Sequence, residues 1–303
     1  MRASTRPRAL GALAAMLAFA PAPRGSSQLL VEPTASSEEQ VQALLNEASN
    51  AIAAIYDYRG IIVKKELFED ELVEQKLAFK FSRPFRVYVK YLQPHPGREG
   101  LYIEGVHKNR LRAHRGSARN IVASLKPRGW IAMMDNHHPI TSFGLENMLN
   151  VAKRNIDKAI ARGDATLTLT VGGTVYGEPT WRIDLETKAG GYTVTARRGE
   201  TLWDIARRTG QDMYVILHHN DAIESPNDVS VGQEVFVPHY YASRGQYFIS
   251  ARSYVMIRAI SWDHRGNLYE SYEYPELELN PGLRDRDFDY RNEDYDFVRP
   301  NQR

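Results

Sequence analysis

Three consecutive runs, Tyr58 to Phe68, Glu71 to Ser82 and Phe85 to Leu92, alternate apolar and polar residues and are joined by short turns. In the second, Val73, Leu77, Phe79 and Phe81 share one side while Glu74, Lys76 and Lys80 take the other. In the third, Phe85, Val87, Val89 and Tyr91 oppose Arg86 and Lys90. A period of two held this long is incompatible with a helix and predicts antiparallel strands with one buried and one wetted face. Further strands are expected at Leu101 to Ile103, Arg110 to Arg115, Ala165 to Val175, Thr180 to Glu186, Tyr254 to Ser261 and Leu268 to Tyr274. Two stretches switch to helical spacing. Ser36 to about Tyr56 opens on a Ser36/Glu39 capping box and lines up Val41, Leu44, Leu45, Ala48, Ile52 and Ile55. Gly144 to Ala161 lines up Leu145, Met148, Leu149, Ala152, Ile156 and Ile160 and stops at Gly163. The fold class expected is α+β: one curved antiparallel sheet with two covering helices.

The stretch Tyr192 to Pro238 breaks this pattern and carries one of its own. Tyr192-Thr193-Val194 reads as a strand, and Gly199 interrupts it. Thr201 and Asp204 form a capping box, Leu202, Ile205 and Ala206 recur at helical spacing, and Gly210 stops the helix. A second short helix carries Val215, Ile216 and Leu217 and ends at Asn220; Gly232-Gln233 then turns into Val235-Phe236-Val237 and Pro238. The order is strand, helix, helix, strand. Sheet-type sequence lies on both sides, and Gly190-Gly191 and Ala242 to Gln246 look like linkers. The module therefore reads as an insertion at a hairpin loop of a host domain, where insertions are best tolerated.

These residues resemble the lysin motif (LysM) module, which recognises N-acetylglucosamine polymers in peptidoglycan and chitin. The resemblance rests on Tyr192-Thr193-Val194, the run Gly199 to Ala206, Gly210, Ile216-Leu217, Asn220, Gly232-Gln233 and Val237-Pro238, with Glu200 where Asp is commoner. It implies a shallow sugar groove between Gly199, Glu200, Thr201 and Leu202 on one side and Asn220, Asp221, Ala222 and Ile223 on the other. Helix-start amides and a small apolar seat suit an N-acetyl group. Trp203 is expected to pack into the module's core rather than to carry sugar.

Three host segments carry a second resemblance: Gly97-Arg98-Glu99 leading into Leu101 to Gly105, His138-Pro139-Ile140-Thr141, and Glu270 to Tyr274 with Leu277 to Asn280 and Gly282-Leu283. They resemble an exported bacterial family classed as a domain of unknown function, related in fold to the periplasmic lipoprotein carriers of the Lol pathway. The likeness implies an incomplete β-barrel over residues 36–190 and 246–290, whose apolar concave face is covered by helices. In the carriers that face holds acyl chains, so a lipid or lipoprotein acyl ligand is the expectation by analogy of fold. Arg98, Glu99 and His138 are expected as a polar cluster of this domain, with an ion-pair network as its role.

The N-terminus bears on compartment. Arg2, Arg6 and Arg8 precede the apolar stretch Ala9 to Ala20, followed by small residues, so residues 1–27 read as a secretory leader, with a membrane anchor as the alternative. Without the leader's four arginines, 35 basic residues face 37 acidic ones, a net charge of −2 with no basic stripe for nucleic acid. No cysteine is present, which excludes a disulfide framework, a thiol nucleophile, a Cys-based zinc site and a lipid-acceptor cysteine.

Metal and cofactor are not expected. His137-His138 and His218-His219 are adjacent pairs, and neighbours on a helix or strand do not face one ligand; there is no His-Glu-x-x-His. Residues 291–303, the end of a mixed acidic, basic and aromatic stretch starting near Arg284, are expected to be a flexible tail. The chain thus reads as an exported, non-enzymatic envelope protein that binds peptidoglycan or a related glycan. A cell-wall hydrolase, which needs only two carboxylates, and a purely structural protein are the alternatives.

Overall fold

The computed structural model describes residues 36–116 and 121–298. The leader expected over 1–27 lies outside the described residues. Helix α1 (Ser37–Ala53) starts from a reciprocal cap: the Ser36 hydroxyl accepts from the Glu39 amide at 3.3 Å, and the Glu39 carboxylate accepts from the Ser36 amide at 2.8 Å. Strands β1 (Asp57–Phe68), β2 (Glu71–Ser82), β3 (Arg86–Gln93), β4 (Glu99–Ile103), β5 (Leu111–His114) and β6 (Ala123–Leu125) follow as a meander. A one-turn helix α2 (Trp130–Met133) and the long α3 (Leu145–Ala161) lead to β7 (Ala165–Val175) and β8 (Glu178–Thr187). The module comprises β9 (Gly191–Thr195), α4 (Leu202–Thr209), α5 (Met213–His218) and β10 (Glu234–Pro238). Strands β11 (Arg244–Ser250), β12 (Met256–Trp262) and β13 (Leu268–Leu279) follow, and a 3-10 turn at Asp285–Phe288 comes after them.

Among the described residues eleven strands form one sheet in the order β6-β5-β4-β3-β2-β1-β13-β12-β11-β8-β7; the module's β9 and β10 pair separately. The large sheet curves without closing, and α1 and α3 lie in its concavity. Their apolar stripes supply the core: Val41, Leu44 and Leu45 of α1 and Ile156 of α3 are fully or almost fully buried against Phe79, Val87, Ile183 and Ile249. Each such side chain contributes roughly 1.5–3 kcal/mol.

Strands β8 and β11 pair from Arg244 opposite Glu186 to Ser250 opposite Thr180, so the module leaves and re-enters at the end of one hairpin. This corrects the reading of Ala242 to Gln246 as a linker, because Arg244 already belongs to β11. The strand's polar start hides it in the sequence, yet its Tyr247 and Ile249 are buried in the core. The flexible tail expected over 291–303 is likewise corrected as far as residue 298. Phe288, Tyr295 and Phe297 are buried with Tyr88 and Leu101 in a small second core. The reason is parity: Tyr88 points away from Val87 and Val89, to the face opposite the helices, and Tyr295 stacks on it with ring centres 3.9 Å apart. Lys80 reaches Asp287 at 2.7 Å, and Arg86 reaches Asp285 at 2.7 Å, fastening the same segment.

The first and last strands, β1 and β13, meet at the middle of the sheet with a bulge between Ile61 and Val63. At Gly60 they approach so closely that an added Cβ would sit 1.9 Å from the Glu276 carbonyl oxygen. Gly60→Ala must therefore push the strands apart, a strain expected to cost about 1–3 kcal/mol. Urea unfolding of the variant beside the wild type measures that loss; equal midpoints would contradict the close approach.

Candidate functional site

Helices α1 and α3 do not fill the concavity. Between α3, the segment after α2 and the inward faces of both sheet halves lies a cavity of about 530 Å³. Its walls are mainly apolar, with Ile62, Leu77 and Val89 on the strands of one half, Met148 on α3 and Tyr247 and Tyr274 on the other half. The volume falls in the range of ligand cavities, roughly 300–1,000 Å³.

Part of this wall is charged. On β1, Lys64 and Glu66 are in phase with Tyr58 and Ile62, so the alternation that buries the apolar residues buries them too. Lys64 Nζ donates to Glu66 Oε2 at 2.7 Å and to Asn136 Oδ1 at 2.6 Å, and the Tyr272 hydroxyl donates to Glu66 Oε1. On β13, Glu270 points inward with Tyr272 and Tyr274. Its Oε2 lies 3.6 Å from His137 Nδ1 and 3.5 Å from His138 Nε2. Burial opposes charge on Glu270, but the two histidines outweigh it and lower the carboxyl to about 2. Burial also works against a protonated His138; Glu270, with Asp212 and Glu66, reverses this and raises the imidazole to about 9. Glu66 is held below its ordinary value too, Lys64 and His137 overcoming burial.

The convergence of His137 and His138 on one carboxylate corrects the argument that adjacent histidines face apart. That argument holds on helices and strands, and this pair lies in the irregular segment between α2 and α3. Glu66, His137 and Glu270 bring one ligand atom each within 4.8 Å of one another. The sequence signal for Glu66 and Glu270 was available: each is an acid in phase with the core face of its strand. The pairing of two distant strands was not.

Arg98, Glu99 and His138 all line the cavity but are engaged by different partners. Glu99 is fully buried and accepts from His114 Nε2 at 3.0 Å and from the Asp296 amide at 3.1 Å, with Lys90 Nζ 3.0 Å away. Because the Gly116 amide donates to His114 Nδ1 at 3.0 Å, the neutral ring carries its hydrogen on Nε2 and donates it to Glu99. Arg98 stacks over Tyr91, 5.2 Å from the ring centre. His138 instead contacts Tyr241 at 3.0 Å, Glu270 and Asp212.

The module's groove residues divide in the same way. Gly199, Asp221 and Ala222 are exposed, and Gly199 adopts φ +76°. Thr201 caps α4, its hydroxyl and amide both engaging the Asp204 carboxylate. Glu200 grips Arg208 through both oxygens at 3.0 Å. Leu202 and Ile223 are buried in the module's core, and the Leu202 amide donates to the Pro226 carbonyl at 2.8 Å, tying the two loops together. The Asn220 side chain is committed to the backbone: it donates to Ile216 and Phe236 and accepts from the Phe236 amide. Trp203 packs partly against that core, edge-on to Tyr214, with Arg128 of the host 5.0 Å from its ring centre.

Helix α5 seats the module on the host. Val215 is buried with Tyr241, Ala242 and Tyr269, and the Tyr214 ring stacks on His137 with centres 5.1 Å apart. Asn155 of α3 accepts from the Tyr241 amide at 2.7 Å, fixing the chain's return. His218 Nε2 lies 3.0 Å from Asp263, whose oxygens also accept from the amides of Arg265 and Asn267.

The sequence profile of a family described as "Protein of unknown function (DUF1571)" matches residues 55–214 and 228–297. The chain belongs to the DUF1571 family. Within it, residues 193–238 match the LysM domain. No curated protein matches the DUF1571 chain. Solved structures similar to it include an uncharacterized conserved protein from Thermus thermophilus (7% identity, TM-score 0.38, covering 82% of this chain and 91% of that one). A LolA superfamily protein from Nitrosomonas europaea (10%, 0.27, 82% and 96%) and the lipoprotein LppX of Mycobacterium tuberculosis (11%, 0.37, 80% and 98%) are further neighbours. What this DUF1571 protein can hold follows from its own cavity and module.

The contact of His218 with Asp263 gives the seating a pH dependence. Burial would raise the Asp263 carboxyl, but His218, Asn267 and Arg265 hold it below its usual 3.8. A depressed folded value means the stabilisation is complete above pH 3.8 and is lost as pH falls through the lower folded value. Asp263→Asn is expected to cost about 1–3 kcal/mol at neutral pH. Thermal unfolding from pH 7 to pH 3 measures the gap to the wild type, which should narrow below pH 3.8; a gap constant with pH would contradict this role.

Proposed function

We propose that this DUF1571 protein is an exported binding protein of the cell envelope. Its LysM domain would hold it on N-acetylglucosamine-containing glycan, peptidoglycan being the first candidate. Its host cavity would take the apolar part of an amphiphile such as a lipid or a lipoprotein's acyl chain. The observation that carries this reading is the 530 Å³ apolar cavity beneath an open sheet, next to a seated LysM domain. The exposed Gly199, Asp221 and Ala222 support the glycan half, since they leave backbone and a small methyl seat open between the two loops. Glu200, Thr201, Leu202, Asn220 and Ile223 would act by shaping that groove.

Hydrolysis of the glycan is the competing reading, and the carboxylates do not favour it. Glycoside cleavage needs one carboxyl that keeps its proton and one that has lost it. Glu66 and Glu270, the close buried pair, are both held below ordinary values, so neither keeps a proton at neutral pH.

Co-sedimentation with purified murein sacculi tests the glycan half. The full chain is expected to pellet, whereas Ala222→Trp, which fills the exposed groove without touching the module's core, is expected to stay soluble. A chain with residues 192–238 replaced by a short Gly/Ser link should also stay soluble. A wild type that does not pellet, or an Ala222→Trp variant that pellets as well, would overturn this part of the reading.

A further inference from the structure

Glu66 on β1, Glu270 on β13 and His137 before α3 form a buried group, its two carboxylates on the cavity wall, that neither glycan binding nor an apolar ligand uses. Hydrogen-bond accounting singles out its centre. His137 Nε2 lies 2.9 Å from the Leu67 carbonyl oxygen. A carbonyl only accepts, so Nε2 carries a hydrogen and donates it. In the neutral ring, Nδ1 then presents its lone pair, and it faces Glu270 Oε2 at 3.6 Å. That is beyond hydrogen-bond distance. His137 is 2% exposed and Glu270 5%, and both of these atoms are without a hydrogen-bond partner. The two atoms need a positive charge between them, either a proton on Nδ1 or a bound cation; the 3.6 Å gap is longer than the hydrogen bond a proton would make and matches the spacing of two ligands around one ion.

We propose that His137 Nδ1, Glu270 and Glu66 bind a divalent transition-metal cation of the Zn²⁺ type. One imidazole with two carboxylates suits zinc or its first-row neighbours better than calcium or magnesium, which take all-oxygen sets. The surroundings match what a metal-binding histidine requires: its other ring nitrogen donates to a backbone carbonyl, which fixes the tautomer and aims the ligand nitrogen. The rings of Tyr214 and Tyr269 stack on His137 at 5.1 and 4.9 Å and hold its plane. Lys64 and the Tyr272 hydroxyl orient Glu66. Among the described residues no lysine or arginine pairs with Glu270; its charged neighbours are His137 and His138. Glu66, Glu270 and Asn136 also line the cavity, which gives an ion its path inward.

The test uses the tag-free full chain, stripped with a chelator, gel-filtered and titrated with Zn²⁺ alone. The wild type is expected to retain about one equivalent after a second gel filtration, measured by elemental mass spectrometry, and to gain thermal stability. Glu270→Gln, which keeps the side chain's shape, should weaken binding by at least about tenfold, and His137→Gln likewise. Should either variant fail to fold, anomalous diffraction from wild-type crystals grown with Zn²⁺ decides. Density between His137 Nδ1 and the two carboxylates supports the site. Density elsewhere, as beside the His219 and His264 rings, overturns it, as does a wild type retaining no zinc or two variants retaining as much as the wild type.

Discussion

An open sheet has to cover its apolar concave face, and nearly every feature of this DUF1571 chain answers to that requirement. The alternating strands put Leu77, Phe79, Phe81, Val87 and Val89 on one side, and water is excluded from that side only if something lies in the concavity. Helices α1 and α3 cover much of it, each through a continuous apolar stripe. They leave the 530 Å³ space that makes the host a candidate binding domain instead of a filled core. The outer face has the lesser version of the same problem at Tyr88 and Leu101, and residues 284–298 cover it.

The module is self-sufficient and yet not free. Its own core of Leu202, Ile205, Met213, Ile216 and Val235 closes without the host. Helix α5 nevertheless places Val215 against Tyr241 and Tyr269, Tyr214 against His137, and His218 against Asp263. His137 carries the module's Tyr214, and its neighbours His138 and Glu270 line the cavity, so the two candidate sites stand on one packed unit. The charged group at that junction is costly to bury. Each member is compensated by specific partners, and only the pair His137 Nδ1 and Glu270 Oε2 is left facing without a hydrogen bond.

Much of this was legible in the sequence. The period-two runs gave the strands of the first half, the stripe from Val41 to Ile52 gave α1, and Thr201 with Asp204 marked the start of α4. Strand β11 was hidden because its polar opening resembles a linker and its partners, β8 and β12, are separated from it by a module and a turn. The tail was hidden for a related reason: Phe288, Tyr295 and Phe297 have no local period, and only the outward Tyr88 gives them a place. At the sites, exposure of Asp221 and Ala222 could be expected from motif position, but commitment of the Asn220 side chain to Phe236 could not. Lys64, Glu66 and Glu270 were visible as charges in phase with core residues. Their meeting with His137 depends on the β1–β13 pairing and on an irregular segment, neither of which has a local signature.

The central claim is that the concavity of the open sheet is a binding cavity and not a packing remnant. Titration of the purified, delipidated protein with a fluorescent long-chain fatty acid tests it most directly, with Met148→Trp as the partner variant because that residue on α3 lines the space. Saturable binding with about one site per chain, abolished by Met148→Trp while the fold is retained, is the expected result. No saturable binding to the wild type, or binding unchanged by filling the cavity, would contradict the claim.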